Sequence, residues 1–94
     1  MLTIKHTETN YDGFFEAWHD DVHVGELTYR RTTPERMIID HTRVFEGYEG
    51  QGIACQLVIA SVDFARLNAR TIIPVCSYAR KLLTSSDEYK DILA

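Results

Sequence analysis

The sequence has no basic run, no C-x-x-C pair and no apolar stretch of membrane-spanning length, and each absence removes a class of function. Lysine and arginine number 10 against 14 aspartates and glutamates, a formal net charge of −4. Nucleic-acid binding without sequence preference needs several cations clustered on phosphates. No lysine-rich segment supplies them locally, so no nucleic-acid partner is expected. The apolar stretches fall far short of the ~20 residues of a spanning helix. The opening Met1-Leu2-Thr3-Ile4-Lys5-His6 lacks the charged-then-apolar pattern of a secretory signal. The expectation is a cytoplasmic protein without a membrane partner. There are only two cysteines, Cys55 and Cys76. In a cytosolic chain they read as free thiols rather than a disulfide. His19 and His23 flank Asp20 and Asp21, but no further ligand cluster joins them, so no metal is expected. Repeats, low-complexity segments and linkers are missing too, which leaves one domain over residues 1–94.

What is present is ordinary for a folded domain: 94 residues, 45% hydrophobic and 26% charged. A chain this short buries a smaller share of its surface than a larger one, so its stability margin is thin. The first half reads as strands. Thr3–Thr7 is followed by a turn at Asn10-Tyr11-Asp12-Gly13 and an aromatic strand over Phe14–Trp18. His19-Asp20-Asp21 is a hairpin turn, and Val22–Arg31 and Arg36–Phe45 follow on either side of a break at Thr32-Thr33-Pro34-Glu35. Short connections make these four an antiparallel meander. The aromatics Phe14, Phe15 and Trp18 are expected in the core. From Gly52 to Ala69 the period becomes helical, with Ile53, Leu57, Ala60, Phe64 and Ala65 in one apolar stripe widened by Val58, Ile59 and Val62. Thr71–Val75 is a fifth strand, Ser77–Leu83 a short helix, and Asp87 caps a last turn through Ile92.

The order β-β-β-β-α-β-α makes the fold class α/β (α+β), with a mixed, mainly antiparallel sheet. Strand 4, the long helix and strand 5 form one right-handed crossover, which sets strands 4 and 5 parallel.

Between strand 4 and the helix lies Glu46-Gly47-Tyr48-Glu49-Gly50-Gln51-Gly52. A helix N-terminus presents unpaired N–H groups and partial positive charge, and glycines let a phosphate approach closely. The segment is neither a P-loop, since no Gly-Lys-Ser/Thr follows, nor the dinucleotide G-x-G-x-x-G fingerprint. On this context alone it is either an anion site or a plain flexible turn.

Glu49-Gly50-Gln51-Gly52-Ile53-Ala54 resembles the Arg/Gln-x-x-Gly-x-Gly/Ala signature of the GNAT superfamily of acetyl-CoA-dependent N-acetyltransferases. Gly25-Glu26-Leu27-Thr28-Tyr29-Arg30, Asp40-His41-Thr42, Pro74-Val75-Cys76-Ser77-Tyr78-Ala79 and Tyr89-Lys90-Asp91 extend the likeness to a small GNAT-like subgroup of about this length. It runs from about Val22 to Ile92. The resemblance implies a minimal GNAT fold with strands 4 and 5 splayed and acetyl-CoA as co-substrate. Its pyrophosphate would lie on the loop over residues 49–54. The implied coenzyme set is Val44, Gly50, Gln51, Gly52, Ile53, Ala54 and Cys55, with Arg80, Lys81 or Arg43 adding positive charge. Glu49 departs from the signature, and Glu46 lies close by; two carboxylates there weaken pyrophosphate binding. A splayed position suits Pro74, as does an ordinary edge strand.

Acetyl transfer to an amine needs a polarised carbonyl, a deprotonated amine and a protonated leaving thiolate. Cys76 ends strand 5 just before a helix start, where a thiol pKa is lowered. It is a candidate nucleophile or general acid, or else a small buried hydrophobe. His41 on strand 4 is a candidate general base, or a structurally hydrogen-bonded ring. Strand alternation puts it on the side of Ile39 and Arg43 unless a bulge intervenes, with Asp40 facing away. Tyr78 is a possible acid, and Cys55 sits inside the helix as packing. The expected activity is acetyl transfer from acetyl-CoA to an amine on a small molecule or a protein lysine, by a monomer or weak dimer. The alternative is a non-catalytic acyl-CoA-binding or protein-interaction module on the same scaffold.

Overall fold

A computed structural model describes residues 1–94. The order of elements is the one expected: β1 (Leu2–Glu8), β2 (Asp12–His19), β3 (Val22–Thr33), β4 (Arg36–Val44), α1 (Ile53–Leu67), β5 (Thr71–Pro74) and α2 (Ser77–Leu83), then a 3-10 turn over Asp87–Tyr89. The strands form one sheet in the order β1-β2-β3-β4-β5. The first four are antiparallel to their neighbours, and β4 and β5 are parallel. No helix is long and apolar enough to cross a membrane.

Helix α1 packs across β2 to β5. Its fully buried residues are Ile53, Leu57, Val58, Ser61, Val62 and Ala65. Ala60 and Phe64, expected in the stripe, lie only half-buried at its edge. The stripe is rotated because Ser61 occupies its centre. Its hydroxyl donates to the Val58 carbonyl at 2.6 Å, so it is buried without an orphaned polar group. Against α1 the sheet sets Leu27, Met37, Ile39 and Ile72, all at 0% exposure. Each such side chain contributes about 1.5–3 kcal/mol by leaving water. Both ends of α1 are set by left-handed backbone, Gly52 at φ 77° and Ala69 at φ 54°, so the helix is shorter than the Gly52–Ala69 span expected from its periodicity.

Two bulges reshape the faces of the sheet. Between β2 and β3, Ala17 faces Gly25 while Trp18 faces His23, leaving Val24 as the extra residue. Between β3 and β4, Thr28 faces His41 and Tyr29 faces Ile39, leaving Asp40 extra. Ile39 points into the core. After the bulge the inward positions are Thr42, opposite Leu27, and Val44, opposite Gly25. His41 therefore shares a side with Arg43 but not with Ile39, and Asp40 does not face away from it. Both Asp40 and His41 lie on the outer face beside Thr28, whose hydroxyl donates to Asp40 Oδ1 at 2.6 Å. A bulge turns two consecutive side chains to one side, which alternation alone misses.

Phe15 is core at 3% exposure, but Phe14 and Trp18 alternate with it and belong to the outer face. Trp18 joins a row across that face. Lys5 Nζ lies 4.8 Å from its ring, the His23 ring stacks on it at 5.0 Å, Phe45 meets His23 edge-on at 4.8 Å, and Arg43 covers Phe45 at 4.9 Å. The inner face carries a polar cluster at its β1 edge. Tyr29 donates to Glu8 Oε2 at 2.6 Å. With that hydrogen committed, His6 Nε2–H donates to the Tyr29 oxygen, also at 2.6 Å. Arg70 forks onto both Glu8 oxygens, and Arg31 Nε lies 3.6 Å from the same carboxylate.

Candidate active site

The β4–β5 ladder runs only from Arg36 opposite Thr71 to Ile39 opposite Pro74. There the Ile39 carbonyl accepts two N–H groups, Val75 at 2.9 Å and Cys76 at 3.0 Å. The strands then part, at the point where the bulge begins. Phe45 N–H donates to the Val24 carbonyl at 2.9 Å. Counting back along an antiparallel ladder, the backbone N–H and C=O of Val44 and Thr42 face away from β3, into the gap. Pro74, with no N–H to pair, closes β5 where the ladder ends, as a gap position requires.

Above the gap the β4–α1 loop turns through Gly47, Gly50 and Gly52, at φ 94°, 79° and 77°. Nothing lies within 4 Å of where a Cβ would stand on any of them, so it is backbone conformation, not crowding, that calls for glycine here. Gly52 caps α1 with no side chain to accept from the first helical amides, and the first turn carries no acidic residue. The N–H groups of Ile53, Ala54 and Cys55 thus point outward as a positive terminus. Glu49 does not cover them. Its carboxylate folds back onto Gly47 N–H, at 2.9 and 3.3 Å.

A cleft of about 340 Å³ lies between this terminus and α2. Of the coenzyme residues expected from the sequence, Val44, Gly50, Gly52, Ile53, Ala54 and Cys55 line it, and so does Tyr78. Gln51 is exposed and outside it, and so are Arg80 and Lys81. Arg80 Nε donates to the Pro74 carbonyl at 3.3 Å. Tyr48 and Glu49 also line the cleft; Tyr48, an aromatic between two glycines, is the one sequence signal that was there to be used. A larger hollow of about 480 Å³ lies at the far end of α1, around Arg66, Arg70 and Asp91. Arg66 and Asp91 are already paired there at 2.9 Å, remote from the gap.

Cys76 is the residue before α2, in extended conformation at ψ 129°. Burial pushes its thiol pKa up, but the N–H of Ala79, the Thr42 hydroxyl and the N–H groups of Tyr78 and Thr42 outweigh that and hold it below the ordinary thiol value. Thr42 Oγ1 is buried without a conventional hydrogen-bond partner, and an ionised sulfur is an acceptor that satisfies it. Sequence reasoning missed Thr42, because only the bulge turns it inward. Burial, and then Cys55, raise the Tyr78 phenol, so it keeps its proton at neutral pH. His41 is exposed on the outer face, and no hydrogen bond joins it to Cys76. The cleft opens on the helix side of the sheet and His41 on the other, with the gap between them.

The chain is similar in sequence and fold to known proteins. The family model described as GCN5-related N-acetyl-transferase matches residues 14–92. A solution structure from Staphylococcus aureus described as GCN5-like is 35% identical, covers 99% of this chain and 88% of its own, and superposes with a TM-score of 0.75. The ribosomal-protein-alanine N-acetyltransferase of Brucella melitensis is similar in fold at 23% identity and TM-score 0.66, over 92% of this chain and 64% of its own. A GNAT-family acetyltransferase from Elizabethkingia anophelis, solved with acetyl-CoA bound, has a TM-score of 0.70 at 14% identity, over 89% of this chain and 72% of its own. No curated protein sequence matches. With four-fifths of the chain inside the family model and a relative of similar length above 30% identity, the protein belongs to the GCN5-related N-acetyltransferase family.

Proposed function

We propose that residues 1–94 act as one cytoplasmic acetyltransferase domain that moves an acetyl group from acetyl-CoA to an amine through Cys76. The observation that carries this reading is the position of Cys76 before α2, at the mouth of the β4–β5 gap, where the donors around its sulfur lower the thiol pKa. A thiol whose ionised form is favoured by surrounding donors suits a nucleophile better than a proton donor.

The diphosphate would sit on the amides of Ile53, Ala54 and Cys55, and the pantetheine arm would pair with the gap-facing backbone of Val44 and Thr42. Cys76 Sγ attacks the thioester carbon. The carbon–sulfur bond to the coenzyme breaks, and the departing thiolate takes a proton, for which the Tyr78 phenol is a donor. The amine then attacks the acetyl-cysteine from the outer face. Its proton passes to His41, and the Cys76 thiolate leaves. Tyr78 then regains a proton from water and His41 gives one up to it, so one amine and one thioester give one amide and one thiol.

Mixing the protein with acetyl-CoA in the absence of acceptor should add one acetyl group to the peptide containing Cys76, read by mass spectrometry. Cys76→Ala should lose both this adduct and turnover, by about 10³-fold or more, while titration calorimetry still shows coenzyme binding. Full turnover by Cys76→Ala would sink the covalent route. His41→Gln should retain the adduct but slow its transfer to the amine.

A further inference from the structure

The outer face beside the β4–β5 gap carries apolar side chains that the fold does not use. Ile38 and Ile73 alternate with the buried Met37, Ile39 and Ile72, so they point to the outer side. The parallel register sets them next to each other, and both are only half-buried. Val75 follows on the same side with 50% of its surface in water. None of the three belongs to the core or packs against it. β-Branched residues suit the strands they lie on, but here they form a shelf that runs up to the gap.

Polar groups stand at the gap end of this shelf. The bulge in β4 leaves Asp40 as the extra residue and turns it to the outer face beside His41, the re-aiming that bulges perform next to active sites. The Thr28 hydroxyl donates to Asp40 Oδ1 at 2.6 Å, and Arg30 Nε lies 3.3 Å from Oδ2. An ionised carboxylate accepts at about four positions, so the two contacts fix Asp40 without filling it. From Ile38 to His41 the strand advances about 10 Å, long enough for a short alkyl chain or one aromatic ring. A carboxylate and an imidazole at the head, with an apolar strip behind them, complement an ammonium on an apolar body. The surrounding charge disfavours a second ammonium. Arg30 sits opposite Ile38, and Arg36 precedes Ile38 on the same side of β4, exposed.

We propose that this face binds the acceptor, and that the acceptor is a primary amine on an apolar body with no second positive charge, an alkylamine or an arylalkylamine. Asp40 receives the ammonium beside His41, while Ile38, Ile73 and Val75 hold the body. The bound ammonium gives up one proton to water, and the free amine then follows the transfer described above. The inference rests on the acetyl-transfer reading and adds a substrate class to it.

Turnover of acetyl-CoA with hexylamine, phenethylamine, putrescine and spermidine tests this, read as free CoA by chromatography, with the acetyl-Cys76 adduct measured by mass spectrometry in the same protein. Either monoamine should exceed putrescine in kcat/KM by about tenfold or more, the scale on which an apolar contact discriminates. Asp40→Asn should raise KM for hexylamine about tenfold with a smaller fall in kcat, the mark of lost ground-state binding. Ile73→Thr keeps the β-branch and should lower the ratio of hexylamine to methylamine kcat/KM by about fivefold. A loss of folded protein would lower both amines alike, so the ratio reads the contact alone. Putrescine or spermidine turned over as well as hexylamine would overturn the substrate class, and an unchanged ratio in Ile73→Thr would overturn the shelf. Adduct without transfer to any of these amines would overturn the acceptor site and leave the donor reading intact. Neither adduct nor turnover would instead strike the acetyl-transfer reading, and this inference with it.

Discussion

Glu8 is the most strongly perturbed carboxylate of the chain. Hydrogen bonding from Arg70 dominates over burial and, with Tyr29 and Arg31, brings its pKa down to about 2. A depressed carboxylate stabilises the fold above its unfolded value near 4.5, and that contribution disappears as pH falls through about 2. Allowing for its partial exposure, about 2 kcal/mol is at stake. His6 adds a separate window. Burial lowers its pKa despite Glu8, so the fold prefers the neutral ring. That preference is complete above the ordinary histidine value of 6.5 and lost as pH falls below it. Thermal melts of the wild type should therefore weaken in two acid stages, and Glu8→Gln should lose the lower one and keep the upper. Burial alone would raise the Cys76 thiol pKa, and the hydrogen-bond donors around its sulfur lower it instead. Thr42→Val, which removes one hydroxyl at nearly constant volume, should move the pH profile of Cys76 alkylation upward, and an unmoved profile would take Thr42 out of the account. The places of Cys76 and the loop glycines in the fold were legible in the sequence because a strand end before a helix, or a glycine before one, is a local pattern. Thr42 and the outward Asp40 were not, because the bulge that turns them is fixed by a count across β3 and β4.

Among the elements, the β4–α1 connection carries the sharpest backbone demand. Gly52 caps the helix at φ 77° in open space, so Gly52→Ala meets no clash and costs only the left-handed conformation, about 1 kcal/mol. For a chain of this size that lowers Tm by about 4–8 °C. Scanning calorimetry checks it, and an unchanged Tm would mean that the loop tolerates another conformation. The strands and helices themselves were readable from periodicity, since period 2 gives way to period 3.6 at the loop. The exact face of α1 was not, because Ser61 is buried through a bond to its own helix that no hydropathy pattern reports. Trp18 shows the same limit on a strand. A large aromatic at an alternating position can belong to either face, and cross-strand partners at Lys5 and His23 hold it on the outer one.

On the scale of the whole molecule, the helices cover one face of the sheet while the other carries the row from Lys5 to Arg43. The proposed donor and acceptor therefore reach the β4–β5 gap from opposite sides of a single layer. At the far edge from that gap, the polar cluster of Glu8 ties the first strand to the end of α1. Its two ends, Glu8 and Arg70, are 62 residues apart in the chain. Closing so long a loop costs chain entropy before any contact forms, so this tie is made late, after the meander and the crossover have assembled. An interaction absent from the folding transition state acts on the exit rate alone. Glu8→Gln should accelerate unfolding by about thirtyfold for a loss of about 2 kcal/mol and leave refolding unchanged, so that only one limb of a stopped-flow chevron moves. One carboxylate on the first strand thus sets how long the folded molecule lasts, while the speed at which it is reached is decided elsewhere.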